Sequence, residues 1–175
     1  VFLQAGVGGI AGAITHMIRE NWSVQPEIII VEPNEAPCLT ESHAAGYPVQ
    51  VTGAASNMGR LDCKEPSLIA FGIFERTGVH FMTITDAQAR DAANRLGSQG
   101  MPTTPSGAAG LAGLKAFGYH CNTSIVTVAQ NIICTFIVRR QQLRSLQDLQ
   151  PQHPVAVVNA GLAHMTGLVP SVGHD

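Results

Sequence analysis

The chain opens VFLQAGVGGIAGAITHMIRE, in which an apolar, strand-like start passes through glycines at positions 6, 8 and 9 into a helical pattern. Each glycine in or beside a helix sacrifices roughly 1 kcal/mol relative to alanine. That loss implies that the backbone must be bare there. The first amides of a helix have no intrahelical acceptor, and the helix dipole favours negative charge beside them. Without side chains in the way, phosphate oxygens come within hydrogen-bond reach of the main chain. Gly6, Val7, Gly8 and Gly9 are therefore expected to wrap a phosphate with main-chain donors. The competing reading is that these glycines serve close strand–helix packing alone.

The 175 residues suffice for one domain with a real core, and 45% hydrophobic with 13% charged residues fits a compact, apolar-rich α/β domain. A net charge of −2 and only 5% aromatic residues give no footprint for nucleic acid or an anionic membrane. The first residue is Val and already lies in a strand-like run, which predicts a piece of a longer chain. Four cysteines, Cys38, Cys63, Cys121 and Cys134, form no CxxC pair. They read as reduced thiols of an intracellular, cytoplasmic protein.

The pattern predicts a buried strand over 1–4 and a helix over 8–20 whose apolar face carries Ile10, Ile14, Met17 and Ile18. The run EIIIVEP (27–33) suits a parallel strand buried on both faces. Residues 36–46 read as a helix stopped by glycine, and VQV (49–51) as a short strand. A proline-started helix is expected over 66–76 and a strand over 79–85. Asp86 is then the N-cap of a helix over 87–97 that exposes Arg90, Asp91 and Arg95. Residues 96–107 form a breaker-rich loop, 107–118 an Ala/Gly-rich helix, and PVAVVNAG (154–161) a last strand. Strands alternating with helices imply α/β architecture, a parallel sheet flanked by helices on both faces.

Residues 121–146 fit less well. Their apolar run from Ile125 to Val138 spans 14 residues, short of the ~20 that cross a bilayer. A buried strand pair or helix is the first reading, an insertion the second and a membrane helix the third. The resulting organisation is a main unit over 1–120, an atypical segment over 121–146, and a C-terminal strand and tail over 147–175.

Two ligands compete for the glycine turn. Gly6-Val7-Gly8-Gly9-Ile10-Ala11 satisfies the dinucleotide fingerprint GxGxxA, and Glu32, 26 residues after Gly6, closes the next strand where an acid can hold a ribose hydroxyl. On this reading the domain is Rossmann-like and binds a nicotinamide dinucleotide.

The second reading comes from resemblance. LQAGVGGIAGA, IIIVEPNEAPCL, LDCKEPS and TPSGAAGLAGL occur in this order and at this spacing. Together they resemble the fold type II, tryptophan synthase β-like pyridoxal-phosphate enzymes, in particular the diaminopropionate ammonia-lyases. The likeness covers about residues 1–120 and, less closely, 154–161. It implies that the chain is part of the large domain of such an enzyme, with pyridoxal 5′-phosphate as cofactor. The cofactor phosphate then sits on Gly6, Val7, Gly8, Gly9 and Ile10. The Glu of this family's VEP strand end is a loop-anchoring residue more often than a cofactor contact, which accounts for Glu32 without a ribose. LDCKEPS resembles the family's GLACGEPS, with Lys64 in place of a glycine, in a loop at the active-site entrance. The implied reaction is α,β-elimination of ammonia from a diaminopropionate-like amino acid, giving pyruvate and ammonia, in a parent that forms homodimers.

The chain also departs from the family pattern. Such chemistry needs a lysine that holds the cofactor aldehyde as a Schiff base. The chain has two lysines, Lys64 and Lys115, and neither lies in the family's lysine motif, which precedes the glycine turn. No catalytic residue is therefore assigned, and the chain alone is expected to be inactive. Where relatives read GESGA this chain reads TPSGA, so Pro105 replaces the glutamate while Ser106 and Gly107 remain. Where relatives carry an STEG-like turn near the pyridine nitrogen, VVNAGLAHMTG offers the amide of Asn159.

Seven histidines show neither HxH nor HxxxH spacing, so no metal site is expected. GxSxG is absent, which removes a serine-hydrolase reading. Asp62 and Glu65 read as a solvated acidic cluster.

Overall fold

The computed structural model describes residues 1–118 and the backbone of 125–130 and 133–138. Three parallel strands carry the fold: β1 (Phe2–Gln4), β2 (Ile29–Pro33) and β3 (His80–Ile84). Phe2 is in register with Ile29, and Ile29 with His80. Between them run α1 (Gly9–Asn21), α2 (Cys38–Ala45) and α3 (Leu68–Thr77), followed by α4 (Asp86–Ser98) and α5 (Pro105–Ala116). Two further strands, β4 (Ile125–Gln130) and β5 (Ile133–Val138), complete the order β3-β2-β1-β5-β4.

β1 and β2 are buried on both faces, and strand alternation assigns each side chain to a face. Phe2, Ile29, Val31 and Ile84 pack with Ala89, Ala92 and Leu96 of α4 and with Ala108, Ala109 and Leu111 of α5. Val1, Leu3, Ile28 and Ile30 pack with Ile14 and Ile18 of α1, Leu39 of α2, and Ala70 and Phe74 of α3. Each fully buried Leu, Ile or Phe contributes about 1.5–3 kcal/mol of transfer free energy.

The expected parallel sheet with helices on both faces holds for β1–β3. The last two strands differ: β5 pairs antiparallel with β1 at Phe2↔Phe136, and β4 antiparallel with β5. Only two residues separate β4 from β5 in sequence, too few for the crossover that a parallel pair requires. The strand expected over 154–161 lies outside the described residues.

Local expectations shift for identifiable reasons. On α1 the buried positions are Ala11, Gly12, Ile14, Thr15 and Ile18, while Ile10 and Met17 are exposed. Small residues bring this helix against Ala70 of α3, so its buried stripe is rotated away from the largest side chains. Residues 49–51 form no strand; Val51 N–H instead donates to the Lys64 carbonyl at 2.8 Å. α3 begins after Ser67, whose hydroxyl caps Ala70 N–H, and not at Pro66. The N-cap of α4 is Thr85, not Asp86. Thr85 and Gln88 form a reciprocal capping box, and Asp86 instead accepts from Ser56 Oγ at 2.6 Å and Asn57 N–H at 2.8 Å.

The Ala/Gly composition of α5 reflects close contact with the sheet. A Cβ at Gly113 would lie 2.7 Å from Val31 Cγ2 and 3.1 Å from its Cγ1. Gly113→Ala is therefore expected to destabilise the fold by about 1–3 kcal/mol through overpacking, against a helix-propensity gain of about 1 kcal/mol. Gly97 of α4, with nothing within 4 Å of its Cβ position, is the control. Gly97→Ala is expected to stabilise by about 0.5–1 kcal/mol, and urea denaturation of both variants measures the opposite signs.

Candidate functional site

At the C-terminal end of β1 the backbone turns sharply into α1. Ala5 N–H still donates to Val31 O at 2.9 Å, and the chain then leaves the sheet at Gly6. Gly8 is the N-cap of α1 with φ 94°, a left-handed conformation that glycine adopts without steric penalty. A Cβ there would meet Ala70 Cβ and Leu39 Cδ1 at 3.0 Å and Phe74 Cε2 at 3.1 Å. A Cβ at Gly6 would meet Cys63 Sγ at 2.9 Å and Arg60 O at 3.1 Å. Gly9, by contrast, faces open space.

The glycines play different parts at different positions. Gly6 and Gly8 permit close packing, and Gly9 leaves the mouth of the helix clear. α1 has no side-chain cap and no acid in its first turn. Among the described residues, the amides of Val7, Gly8, Gly9 and Ile10 donate to no protein acceptor. Val7, Gly9 and Ile10 are exposed. The turn therefore presents unpaired donors at the positive end of a helix dipole, the chemistry that holds a phosphate monoester.

A second helix terminus converges on the same edge. Phe117, just past α5, stacks edge-on against Phe2 at the start of β1, with ring centroids 5.8 Å apart. α5 therefore runs antiparallel to β1, with its N-terminus beside the glycine turn. Thr104 caps that terminus by accepting from Gly107 N–H at 3.2 Å, with Pro105 in the first turn. Ser106 is buried, and its Oγ accepts from Arg60 N–H at 3.2 Å.

Residues 51–67 lie as a strap across this edge of the sheet. Ser56 and Asn57 tie it to Asp86 of α4, Arg60 to Ser106 of α5, and Ser67 N–H to Val7 O at 2.9 Å. Lys64 Nζ pins it further, donating to Glu35 O at 2.6 Å, Ala54 O at 2.9 Å and Asp62 Oδ1 at 2.7 Å. Asp62 is thus an ion-pair partner and not simply solvated. The bond from Lys64 holds its carboxyl below the usual range. Lys115 pairs with Asp91 on the outer surface of α4 and α5.

Glu32 is fully buried. Its carboxylate accepts from Leu39 N–H at 2.8 Å, Thr40 N–H at 2.8 Å and Thr40 Oγ1 at 2.7 Å, which are the open donors at the start of α2. Both oxygens are committed, so the ribose role that GxGxxA suggested for Glu32 is corrected: it anchors α2. Through α2 it also steadies the glycine turn, since Leu39 backs Gly8 and Cys38 Sγ donates to Gly6 O at 3.7 Å. Burial, then the neighbouring Glu32 charge, pushes the Cys38 thiol up to about 12, leaving it protonated and inert.

Of the residues expected to hold a cofactor, the fold brings together Gly6, Val7, Gly8, Gly9 and Ile10; Asn159 lies outside the described residues. Sequence reasoning missed Gln4. This residue is 7% exposed, and neither its carboxamide oxygen nor its nitrogen has a hydrogen-bond partner. Its signal was available: one long polar side chain in a strand otherwise made of Val, Phe, Leu and Ala.

Comparison with known proteins shows which family the chain falls in. The model of the pyridoxal-phosphate-dependent enzyme family matches residues 1–130. The chain belongs to this family. It is 35% identical over 127 residues to diaminopropionate ammonia-lyase of Escherichia coli K12, covering 69% of this chain and 32% of that protein. The Salmonella typhimurium diaminopropionate ammonia-lyase is 38% identical over 93 residues, covering 51% and 23% respectively. The chain thus spans about a third or less of the curated relatives it matches. The structure of the E. coli lyase with an aminoacrylate-PLP azomethine intermediate aligns with TM-score 0.56 at 30% identity, covering 69% of this chain and 32% of that one. The processed form of threonine deaminase isoform 2 from Solanum lycopersicum shares the fold, with TM-score 0.63 at 20% identity over 66% of this chain and 34% of the other.

Burial, the first cause, raises the Glu32 pKa despite its hydrogen bonds. The folded state therefore holds this proton more tightly than the unfolded state. Stability is lost as pH rises from the ordinary carboxylate range through the raised value. Glu32→Gln removes this titration, so the stability of wild type relative to the variant should fall with pH across that window. Parallel urea titrations at several pH values test the slope, and a flat difference contradicts it. Glu32→Ala, which strands the Leu39 and Thr40 donors, is expected to cost about 2–4 kcal/mol below that window and less above it.

Proposed function

We propose that this chain is the cofactor-phosphate-binding portion of a pyridoxal-phosphate-dependent ammonia-lyase acting on a diaminopropionate-like amino acid. The observation that carries the reading is the glycine turn, whose amides are unpaired and whose mouth is open at Gly9. Kinship with diaminopropionate ammonia-lyases over 69% of the chain supports the substrate class. When bound, the cofactor supplies an electron sink for loss of the substrate's α-proton and its β-amino group, the overall products being pyruvate and ammonia.

The chain's own residues bind and orient. Val7, Gly8, Gly9 and Ile10 donate main-chain hydrogen bonds to the phosphate, and the dipole of α1 stabilises its charge. Gly6 and Gly8 keep the turn tight against the strap and against α2 and α3. The strap and the N-terminus of α5 flank the turn, joined by the Arg60–Ser106 hydrogen bond. Neither lysine is free to act as a nucleophile: Lys64 Nζ has three oxygen partners and Lys115 is paired with Asp91.

The 175-residue chain is therefore expected to bind pyridoxal phosphate without covalent capture and to turn over no diaminopropionate. Equilibrium dialysis with pyridoxal phosphate and with NADH separates the readings. Reversible pyridoxal phosphate binding without NADH binding is the expected outcome. A borohydride-trapped adduct on Lys64 or Lys115 would refute the non-covalent assignment. Gly8→Val, which forces a β-branched residue into a left-handed turn 3.0 Å from its neighbours, should abolish binding.

A further inference from the structure

We propose that the outer face of α1 and α3 binds a second copy of this chain, in a two-fold arrangement that sets α1 of each copy against α3 of the other, whatever the glycine turn binds. The two helices lie side by side and parallel. Ser67 N–H, just before α3, donates to Val7 O, just before α1. Midway, a Cβ at Gly12 would lie 3.4 Å from Ala70 Cα, and near the far end Arg19 Nε donates to Thr77 O at 3.0 Å. Each helix buries one side and leaves the other to solvent. The exposed side of α1 carries Ile10, Ala13, Met17 and Glu20, at three- and four-residue spacing. That of α3 carries Leu68 and Ile69, then Gly72 and Arg76 one and two turns on. Leu68 and Ile69 are 70% and 79% exposed. Single apolar residues on a surface are ordinary, but these share one end of a two-helix face, because Ile10 lies within a turn of Val7 and Leu68 follows Ser67.

The opposite end of the face identifies the occupant. There a groove of about 370 Å³ is lined by His16, Arg19, Glu20, Ile73, Arg76 and Thr77. Arg19 is already held by Thr77 O, by Gln25 Oε1 and by Pro26 O. Glu20 and Arg76 are exposed, and among the described residues neither forms an ion pair. The face thus carries an unpaired acid on α1 and an unpaired base on α3 at the same level, which makes it self-complementary. A two-fold axis along the helices brings like ends together. Glu20 of each copy then meets Arg76 of the other, twice per dimer, and Ile10 meets Leu68 and Ile69. An axis perpendicular to the face would lay the charged end of one copy on the apolar end of the other, where both charges lose water and gain no partner. A partner of one dominant charge would answer one of the two groups and repel the other. With 13 residues in α1 the face is about 20 Å long, and two helix diameters make it about 20 Å wide. That is small for an obligate interface, so the dimer is expected to be weak, with a dissociation constant roughly in the micromolar range.

Analytical ultracentrifugation of the 175-residue chain across micromolar concentrations measures the association, with urea denaturation of each variant as the check on folding. Wild type is expected to show a reversible monomer–dimer equilibrium. Glu20→Arg and Arg76→Glu each turn two attractive pairs into two repulsive ones, and each should weaken the dimer roughly tenfold or more. The double variant restores opposite charges and should return to within about threefold of wild type. Ile69→Glu should abolish association, whereas Arg90→Glu, exposed on α4 across the sheet, should leave it unchanged. A chain that stays monomeric throughout overturns the proposal and leaves the face to a different occupant. A dimer indifferent to the single reversals and to Ile69→Glu overturns it by placing the contact elsewhere. Single reversals that weaken the dimer without rescue in the double variant overturn the pairing of α1 with α3.

Discussion

The structure depends on how closely the main chain at Gly6 and Gly8 approaches its neighbours. Leu39, Ala70 and Phe74 close on Gly8 from behind, and Arg60 and Cys63 close on Gly6 from the strap side. These contacts leave no room for a Cβ, and Gly8 also takes a positive φ. Held from two sides, the turn has one free direction, toward the open space at Gly9. A cradle of amides works as an anion site only if it does not collapse onto its own carbonyls. Here the surrounding side chains prevent that collapse, so the donors are organised before any ligand arrives.

Glu32 extends this constraint into the core. Burying a carboxylate is unfavourable, and the upward shift of its pKa records the desolvation. Three hydrogen bonds to the start of α2 offset much of that penalty and fix where α2 begins. Cys38 and Leu39, the first two residues of α2, are the ones that touch the glycine turn. An acid in the core thus sets the position of a loop that leaves the neighbouring strand. A Gln at this position would present an N–H₂ group to one of the donors, which explains why an acid occupies the site.

Much of this was legible in the residues. The buried runs of β1 and β2, the strand β3 and the start of α1 follow from local pattern, and the glycines marked the turn whose amides stay unpaired. What local pattern missed was decided by tertiary contacts. Asp86 looked like a cap because caps are local, yet Ser56 and Asn57 claim its carboxylate from 30 and 29 residues away. Ile10 and Met17 looked like core because they are large, but α1 approaches α3 through Gly12 and Ala70, where size is excluded. Glu32 satisfied a spacing rule for ribose binding equally well before its partners were known. Gln4 was passed over because a single polar residue does not change a strand's pattern, although it changes the energy of the strand's burial.

The strap shows how a charged loop is held in place beside the glycine turn. Where the resembling motif reads GLACG, this chain carries Arg60, Asp62 and Lys64. Introducing a lysine at a glycine position adds a long charged side chain beside a packed site. Its ammonium is absorbed locally by Asp62 and by two carbonyls, one on the strap and one in the loop after β2. The same bonds that make Lys64 tolerable make it unsuitable as a nucleophile. An amine tied to a carboxylate and two carbonyls is held away from any aldehyde it would have to attack. Lys64 therefore stabilises the strap, and its nearness to the glycine turn does not make it a substitute for a cofactor-holding lysine.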